Sequence, residues 1–177
     1  MKTQTETVFD PVTPKTVSAY IEVGTQSYKE HYLHLWENQD PTPYLESSFT
    51  HGVVVKELND PNRYHYLVRF QRANVGILKL TINQGWGDWP AKDALYLHRL
   101  YLLERATGKS IGEAVLNFTE NLAHGFQKKI IWLEAMKKGK AKDFYQKHGY
   151  HIIGESYVEL SGVLEDEKKM WVMGKRI

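Results

Sequence analysis

The chain has 177 residues, 42% of them hydrophobic and 25% charged, with a formal charge of +2 and a mean hydropathy of −0.50. That is the size and make-up of one ordinary globular domain spanning residues 1–177, long enough to bury a real core. The weak positive charge, without a Lys/Arg cluster, argues against a nucleic-acid partner, and the absence of cysteine excludes a disulfide, a thiolate metal site and a cysteine nucleophile.

Met1 to Asp10, MKTQTETVFD, lacks the apolar core of a secretion signal, and no run approaches membrane-spanning length, so a cytoplasmic protein with no membrane partner is expected. Thr5 to Val12 reads as a first strand. Thr13-Pro14 reads as a helix start, threonine at the N-cap and proline just inside, with the helix running to about Trp36. The segment NQDPTP, Asn38 to Pro43, breaks it, and Tyr44 to Leu58 reads as a second helix. After a turn at Asp60-Pro61-Asn62, Tyr64 to Phe70 and Val75 to Ile82 read as strands joined by the polar connection QRAN. Gln84 to Asp93 is a glycine-rich loop holding Trp86 and Trp89.

The stretch from Asp93 to Phe118 organises the rest. Leu95, Leu97, Leu100, Leu102 and Leu103 make a strand apolar on both faces, as a central strand is. Ile111, Ala114, Val115, Phe118 and Leu122 then follow the spacing of a helix with one buried face. Between them lie Gly108 and Gly112, and a helix start of this kind aims unpaired amides and partial positive charge at an anion. Lys129 to Ala135 is another buried strand, Lys140 to Lys147 a short helix closed by His148-Gly149, and Tyr150 to Leu160 and Lys169 to Ile177 the closing strands. The order predicts an α/β fold around a mixed central sheet of about seven strands, flanked by about four helices.

Three phosphate motifs compete for the loop. Gly108-Lys109-Ser110 matches the end of a nucleotide P-loop, but that motif needs a glycine where Leu103 stands. A dinucleotide fingerprint needs three glycines opening a repeated βαβ unit, and neither is present. The third is the pyrophosphate loop Gln/Arg-x-x-Gly-x-Gly/Ala, which Thr107-Gly108-Lys109-Ser110-Ile111-Gly112 resembles, with Thr107 at the Gln/Arg place and Ser110 at the first glycine. Downstream, AKDFYQKHGY, Ala141 to Tyr150, is similar to the companion segment A-x-x-F-Y-x-K-x-G-F/Y of the same proteins. Both motifs, separated by a buried strand, resemble GNAT-type N-acetyltransferases. Tyr44 to Phe49, Leu100-Tyr101 and Ile131-Trp132-Leu133 extend the likeness toward bacterial spermine/spermidine acetyltransferases.

The resemblance implies a GNAT-like fold, acetyl-CoA as cosubstrate, no metal, and direct transfer to a small primary amine, polyamine first, with protein N-termini or lysines as the alternative. The sequence leaves oligomeric state open, and the final hairpin makes a homodimer plausible by the same analogy. Thr107, Gly108, Lys109, Ser110, Ile111 and Gly112 would hold the coenzyme pyrophosphate, and Leu100, Tyr101 and Leu102 the pantetheine arm along a strand edge opened by splaying of two central strands. Tyr145 would be the general acid for the departing thiolate, a phenol being within about two units of a thiol in pKa. From spacing alone Tyr145 is a packing residue beside Phe144. His98 is nominated as base because it titrates near neutrality. A lone histidine on a buried strand is more often a hydrogen-bonded core residue, and with Tyr96 at the place of a catalytic glutamate in some relatives, a water relay is an equal alternative. A rival from another class, a non-catalytic acyl-CoA-binding module, is motivated by Thr107 and Ser110. Trp86 and Trp89 read equally as an aromatic wall for a cation or a hydrophobic loop lid. Glu37, Asp40 and Glu46 could pair with ammonium groups or simply be solvated, and His31 and His34 read as surface residues.

Overall fold

The structure, a computed structural model, describes residues 6–177. The first five residues, including Thr5 of the expected first strand and half of the stretch read for a secretion signal, lie outside the described residues. The chain runs β1 (Thr7–Pro11), α1 (Val17–Tyr32), α2 (Thr42–Ser48), α3 (His51–Leu58), β2 (Arg63–Phe70), β3 (Ala73–Ile82), β4 (Ala94–Leu102), α4 (Ile111–Gly125), β5 (Ile130–Met136), α5 (Ala141–Lys147), β6 (His151–Tyr157) and β7 (Lys169–Arg176). The strands form one mixed sheet in the order β1-β2-β3-β4-β5-β7-β6. The four expected helices are present, the second divided at Phe49, where Thr50 starts α3 by accepting a hydrogen bond from the Val53 amide. α1 begins at Val17 rather than beside Pro14, because Thr13 to Thr16 form a turn in which the Thr13 amide donates to Thr16 Oγ1 at 2.9 Å.

β2 and β3 join through Gln71 and Arg72, both at positive φ, which gives the short connection the twist an antiparallel pair needs. The last two strands are a hairpin in sequence, yet it is β7 that lies beside β5, leaving β6 at the sheet edge. α4 buries Ile111, Val115, Leu116, Thr119 and Ala123 on one side of the sheet, against Leu95, Leu97, Ile131 and Leu133. Each fully buried aliphatic side chain there stabilises the fold by about 1.5–3 kcal/mol. α1 and α3 cover the other side around Tyr20, Val23, Phe49, Val54 and Ile77.

Two irregularities in the sheet create the site. β4 and β5, the parallel central pair, are in register only from Ala94–Ile130 to Tyr96–Trp132 and then part. β4 also carries a bulge: Leu97 opposes Leu80 and Arg99 opposes Lys79, so His98 is the extra residue. Leu95 and Leu97 face α4 before the bulge and Leu100 and Leu102 after it. Tyr96, His98, Arg99 and Tyr101 are thereby gathered on the opposite face.

Candidate active site

Where β4 and β5 part, a cavity of about 670 Å³ opens. Leu97 to Tyr101 line one side and Glu134 to Met136 the other. Its mouth is framed by the α1–α2 connection, which is tied to the β6–β7 connection: the Glu37 amide donates to Gly162 O at 2.8 Å and the Leu164 amide to Leu35 O at 2.8 Å. Aromatic residues supply much of that wall. Tyr28 stacks on Tyr44 with centroids 4.2 Å apart, Trp36 Nε1 donates to the Tyr28 hydroxyl at 3.0 Å, and the Tyr44 and Tyr101 hydroxyls are 2.7 Å apart.

At the end of the splay lies the loop into α4. The Thr107 amide is already spent on Glu104 O at 3.1 Å, and Thr107 Oγ1 donates to the same carbonyl at 2.7 Å. No bond among the described residues occupies the amides from Gly108 to Gly112. Ser110 has φ +57° and Gly108 φ +72°, the left-handed region. A glycine is the ordinary choice at such a backbone, which is the physical meaning of the glycine that Ser110 replaces. Ser110 is exposed and makes no capping bond, so its side chain does not fold back over the amides. Phe144 of α5 packs against Gly112, where an added Cβ would come within 3.0 Å of its ring, which couples the two sequence motifs.

The expected acid and base lie on opposite faces. Tyr145 belongs to the α4 side, buried with Leu133, Ala135 and Tyr150, and lines the cavity; burial pushes its phenol well above the usual tyrosine range. His98 lies across the sheet, stacked on Tyr96 at 4.7 Å, with Nδ1 buried and unpartnered. Burial, with the positive charges of Lys79 and Arg99, lowers its pKa to about 2, so the ring is neutral at physiological pH.

Two site residues escaped sequence reading. Tyr96, on the last paired rung of β4 and β5, donates its hydroxyl proton to Glu134 Oε2 at 2.6 Å two residues beyond that rung, while Trp132 stacks on the Tyr96 ring at 4.0 Å. Arg99, 7% exposed, donates from Nη2 to Ser48 Oγ at 2.8 Å and lies over the Tyr44 and Phe49 rings. Each is a charged residue inside an apolar strand, IIWLEAM and LYLHRLYL, and that was the signal available. Beneath them, buried Glu57 accepts from Lys79 Nζ at 2.6 Å, His65 Nε2 at 2.9 Å and Arg63 Nη1 at 3.0 Å.

The tryptophans and the acidic candidates lie elsewhere. Trp86 and Trp89 pack on Ala94, Trp132 and Ile153 rather than lining the cavity, and Glu37, Asp40 and Glu46 are exposed outside its lining. His31 and His34, read as surface residues, both line the cavity, His31 half-buried and donating from Nε2 to Leu102 O at 2.9 Å; among the described residues no cluster could hold a metal.

The parted parallel strands and the amide-rich helix start agree with a comparison against family models, in which the acetyltransferase (GNAT) family matches residues 25–150. The chain belongs to the GNAT acetyltransferase family. An uncharacterised N-acetyltransferase of Lactobacillus delbrueckii subsp. lactis is 20% identical over 139 residues, 78% of this chain and 80% of that one. Among solved structures, the PaiA N-acetyltransferase of Thermoplasma acidophilum, in complex with coenzyme A, is similar with a TM-score of 0.74 and 16% identity, covering 97% of this chain and 99% of that one. A spermidine N-acetyltransferase chimera from Vibrio cholerae has a TM-score of 0.67 at 11% identity, covering 96% and 95%. At those identities the likeness of these structures to the GNAT chain is one of fold.

Proposed function

We propose that the protein transfers an acetyl group from acetyl-CoA directly to a small primary amine, residues 1–177 acting as one unit. The observation that carries this is the edge of β4 that β5 leaves beyond Tyr96, met there by His31 at Leu102 O, which leads from the cavity to the unoccupied amides at the start of α4. Those features fit the coenzyme: an extended arm can add to Leu100–Leu102 as a further strand would, and a pyrophosphate can accept from Gly108 to Gly112. The family's complex with coenzyme A in a relative of the same fold supports the assignment. When bound, the coenzyme supplies an acetyl group activated as a thioester.

The chain's own residues then divide the work by face. On the α1 side, Glu134 takes a proton from the incoming ammonium, and the hydroxyl of Tyr96 holds the carboxylate in place. We assign the proton-accepting role to Glu134 over His98, because protonated His98 would face Lys79 and Arg99 in a buried setting. On the α4 side, Tyr145 gives its phenolic proton to the departing sulfur; the burial that raises its pKa also disfavours a thiolate beside it, which keeps the transfer matched. A free N–H of the β4 edge can stabilise negative charge on the reacting carbonyl oxygen.

A polyamine is the acceptor to which the sequence resemblance points, but the acidic residues and tryptophans named for it do not line the cavity. The walled mouth also favours a small molecule over a protein lysine or N-terminus. A homodimer, if formed, would use the edge strand β6, where Ile152 is 40% and Tyr157 55% exposed. The test of the activity is thiol release from acetyl-CoA across a panel of amines, with Tyr145→Phe as control. Turnover that collapses in the variant supports transfer; tight coenzyme binding with no turnover on any amine would establish the acyl-CoA-binding module instead.

A further inference from the structure

Arg99 is a buried cation with unsatisfied N–H groups; buried Lys128 also lacks a carboxylate among the described residues, but it donates to Asn83 Oδ1 and Lys92 O. Its Nε and Nη1 atoms are sealed from solvent and have no hydrogen-bond partner, and Nη2 reaches only the neutral Ser48 hydroxyl. The nearby Tyr20 hydroxyl is unpartnered as well. Glu57, the buried carboxylate on this face, is already shared among Lys79, His65 and Arg63. Among the charged residues lining the cavity, Lys138 is paired with Asp166 and Glu167, Glu134 is bonded to Tyr96, and Lys140 has no ion-pair partner among the described residues but is exposed, so water solvates its charge. A buried guanidinium without a carboxylate is costly to keep, and its planar N–H array suits a carboxylate above other partners. Arg99 and the Tyr44 ring that covers it both line the cavity.

We infer that the acceptor is an amino acid, its amine delivered to Glu134 and its carboxylate received by Arg99 in the cavity wall. The inference rests on the acetyl-transfer reading above. Two complementary charges on one face of the sheet, an anion on β5 and a cation on β4, match a zwitterion; a polyamine would bring further positive charge toward Arg99. A carboxylate carries the single negative charge that one unpaired guanidinium balances. Entry of the carboxylate requires the half-buried Tyr44 ring to move off Arg99, giving up its stack on Tyr28 and its 2.7 Å hydroxyl contact with Tyr101.

The experiment measures initial rates with acetyl-CoA for α- and ω-amino acids, for the amine obtained by removing the carboxylate from each, and for spermidine. It uses the full chain, Arg99→Gln and Arg99→Lys. The unmodified chain is expected to favour the carboxylate-bearing member of a pair by about 30-fold in kcat/KM, the value of a charged hydrogen-bonded contact. In Arg99→Gln that ratio falls toward one, mainly through KM, and Arg99→Lys recovers part of it. A bare loss of structure would lower both members of a pair together and leave the ratio intact. Equal or better use of the decarboxylated amines or spermidine by the unmodified chain would overturn the inference and leave acetyl transfer standing. So would a ratio unchanged in Arg99→Gln. If that variant does not fold, the unmodified chain's own preference and Arg99→Lys decide. Acetyl-CoA binding without turnover on any acceptor would sink the transfer reading, and this inference with it.

Discussion

Tyr96, on the last paired rung of β4 and β5, meets Glu134 at 2.6 Å two residues beyond that rung, so the hydroxyl of one strand fixes the carboxylate of the other where the cavity begins. Replacing Glu134 by Gln keeps the shape and removes the proton acceptor. We expect kcat/KM for the amine to fall about 100-fold in Glu134→Gln, the usual worth of a general base, with acetyl-CoA affinity unchanged. Tyr96→Phe frees the carboxylate without removing it, and a smaller loss, about 10-fold, is expected from stopped-time rate measurements. An unchanged rate in Glu134→Gln would return the role to His98 or to water.

Tyr145→Phe removes one oxygen from a buried ring. Packing against Tyr150 is retained, so the melting temperature should move little, while kcat drops about 100-fold if the phenol protonates the leaving sulfur. An acceptor-independent loss, alike for good and poor amines, is the signature of a defect in departure. Calorimetric coenzyme titration separates this from weakened binding.

Ser110 holds φ +57° at the start of α4, a backbone that costs a side-chain-bearing residue about 1 kcal/mol. Ser110→Gly should therefore raise the melting temperature by about 2–4 °C, with coenzyme binding equal or tighter. Ser110→Val should do the reverse, since a branched side chain tolerates that conformation least. Thermal scans with and without coenzyme read both effects.

The folded value for His98, about 2, lies below its ordinary 6.5, with burial the largest cause. Between those values the unfolded chain binds a proton that the folded chain does not. Stability from this group is complete above about pH 6.5 and is lost as the pH falls toward 2, by at most about 1.4 kcal/mol per pH unit. Melting temperatures between pH 5 and pH 8 should therefore decline on the acid side. His98→Asn, which does not titrate there, should reduce that decline, leaving the share due to His65, whose burial also lowers its pKa.

How much of this was legible beforehand follows from the range of each interaction. The elements around Leu95, Ile111 and Ile131 announce themselves by local periodicity, and the two family motifs are contiguous strings, so the sheet, the α4 loop and Tyr145 could be located from the sequence. Pairings across the fold could not. Tyr96 and Glu134 are 38 residues apart, Arg99 and Ser48 are 51 apart, and nothing local says that Glu57 is saturated while Arg99 is not. The bulge at His98 was equally hidden, because it arises from the pairing of β4 with β3. It alone brings Arg99 onto the face of Tyr96. Ser110 shows the opposite case, a visible departure from the motif whose meaning needed the backbone angle.

The proposed roles place the coenzyme arm on β4, its pyrophosphate at the start of α4 and thiol departure with α5, whereas the acceptor wall is drawn from the α1–α2 connection, α2 and the β6–β7 connection. The two sets meet in one cavity, at Tyr145 and at Tyr101, whose hydroxyl lies 2.7 Å from that of Tyr44, and are otherwise drawn from different elements. Mutations that re-tailor the amine pocket can therefore accumulate without disturbing coenzyme affinity. Directed evolution confined to Leu33–Phe49 and Val158–Lys168 should change which amine is used while the Michaelis constant for acetyl-CoA stays where it began.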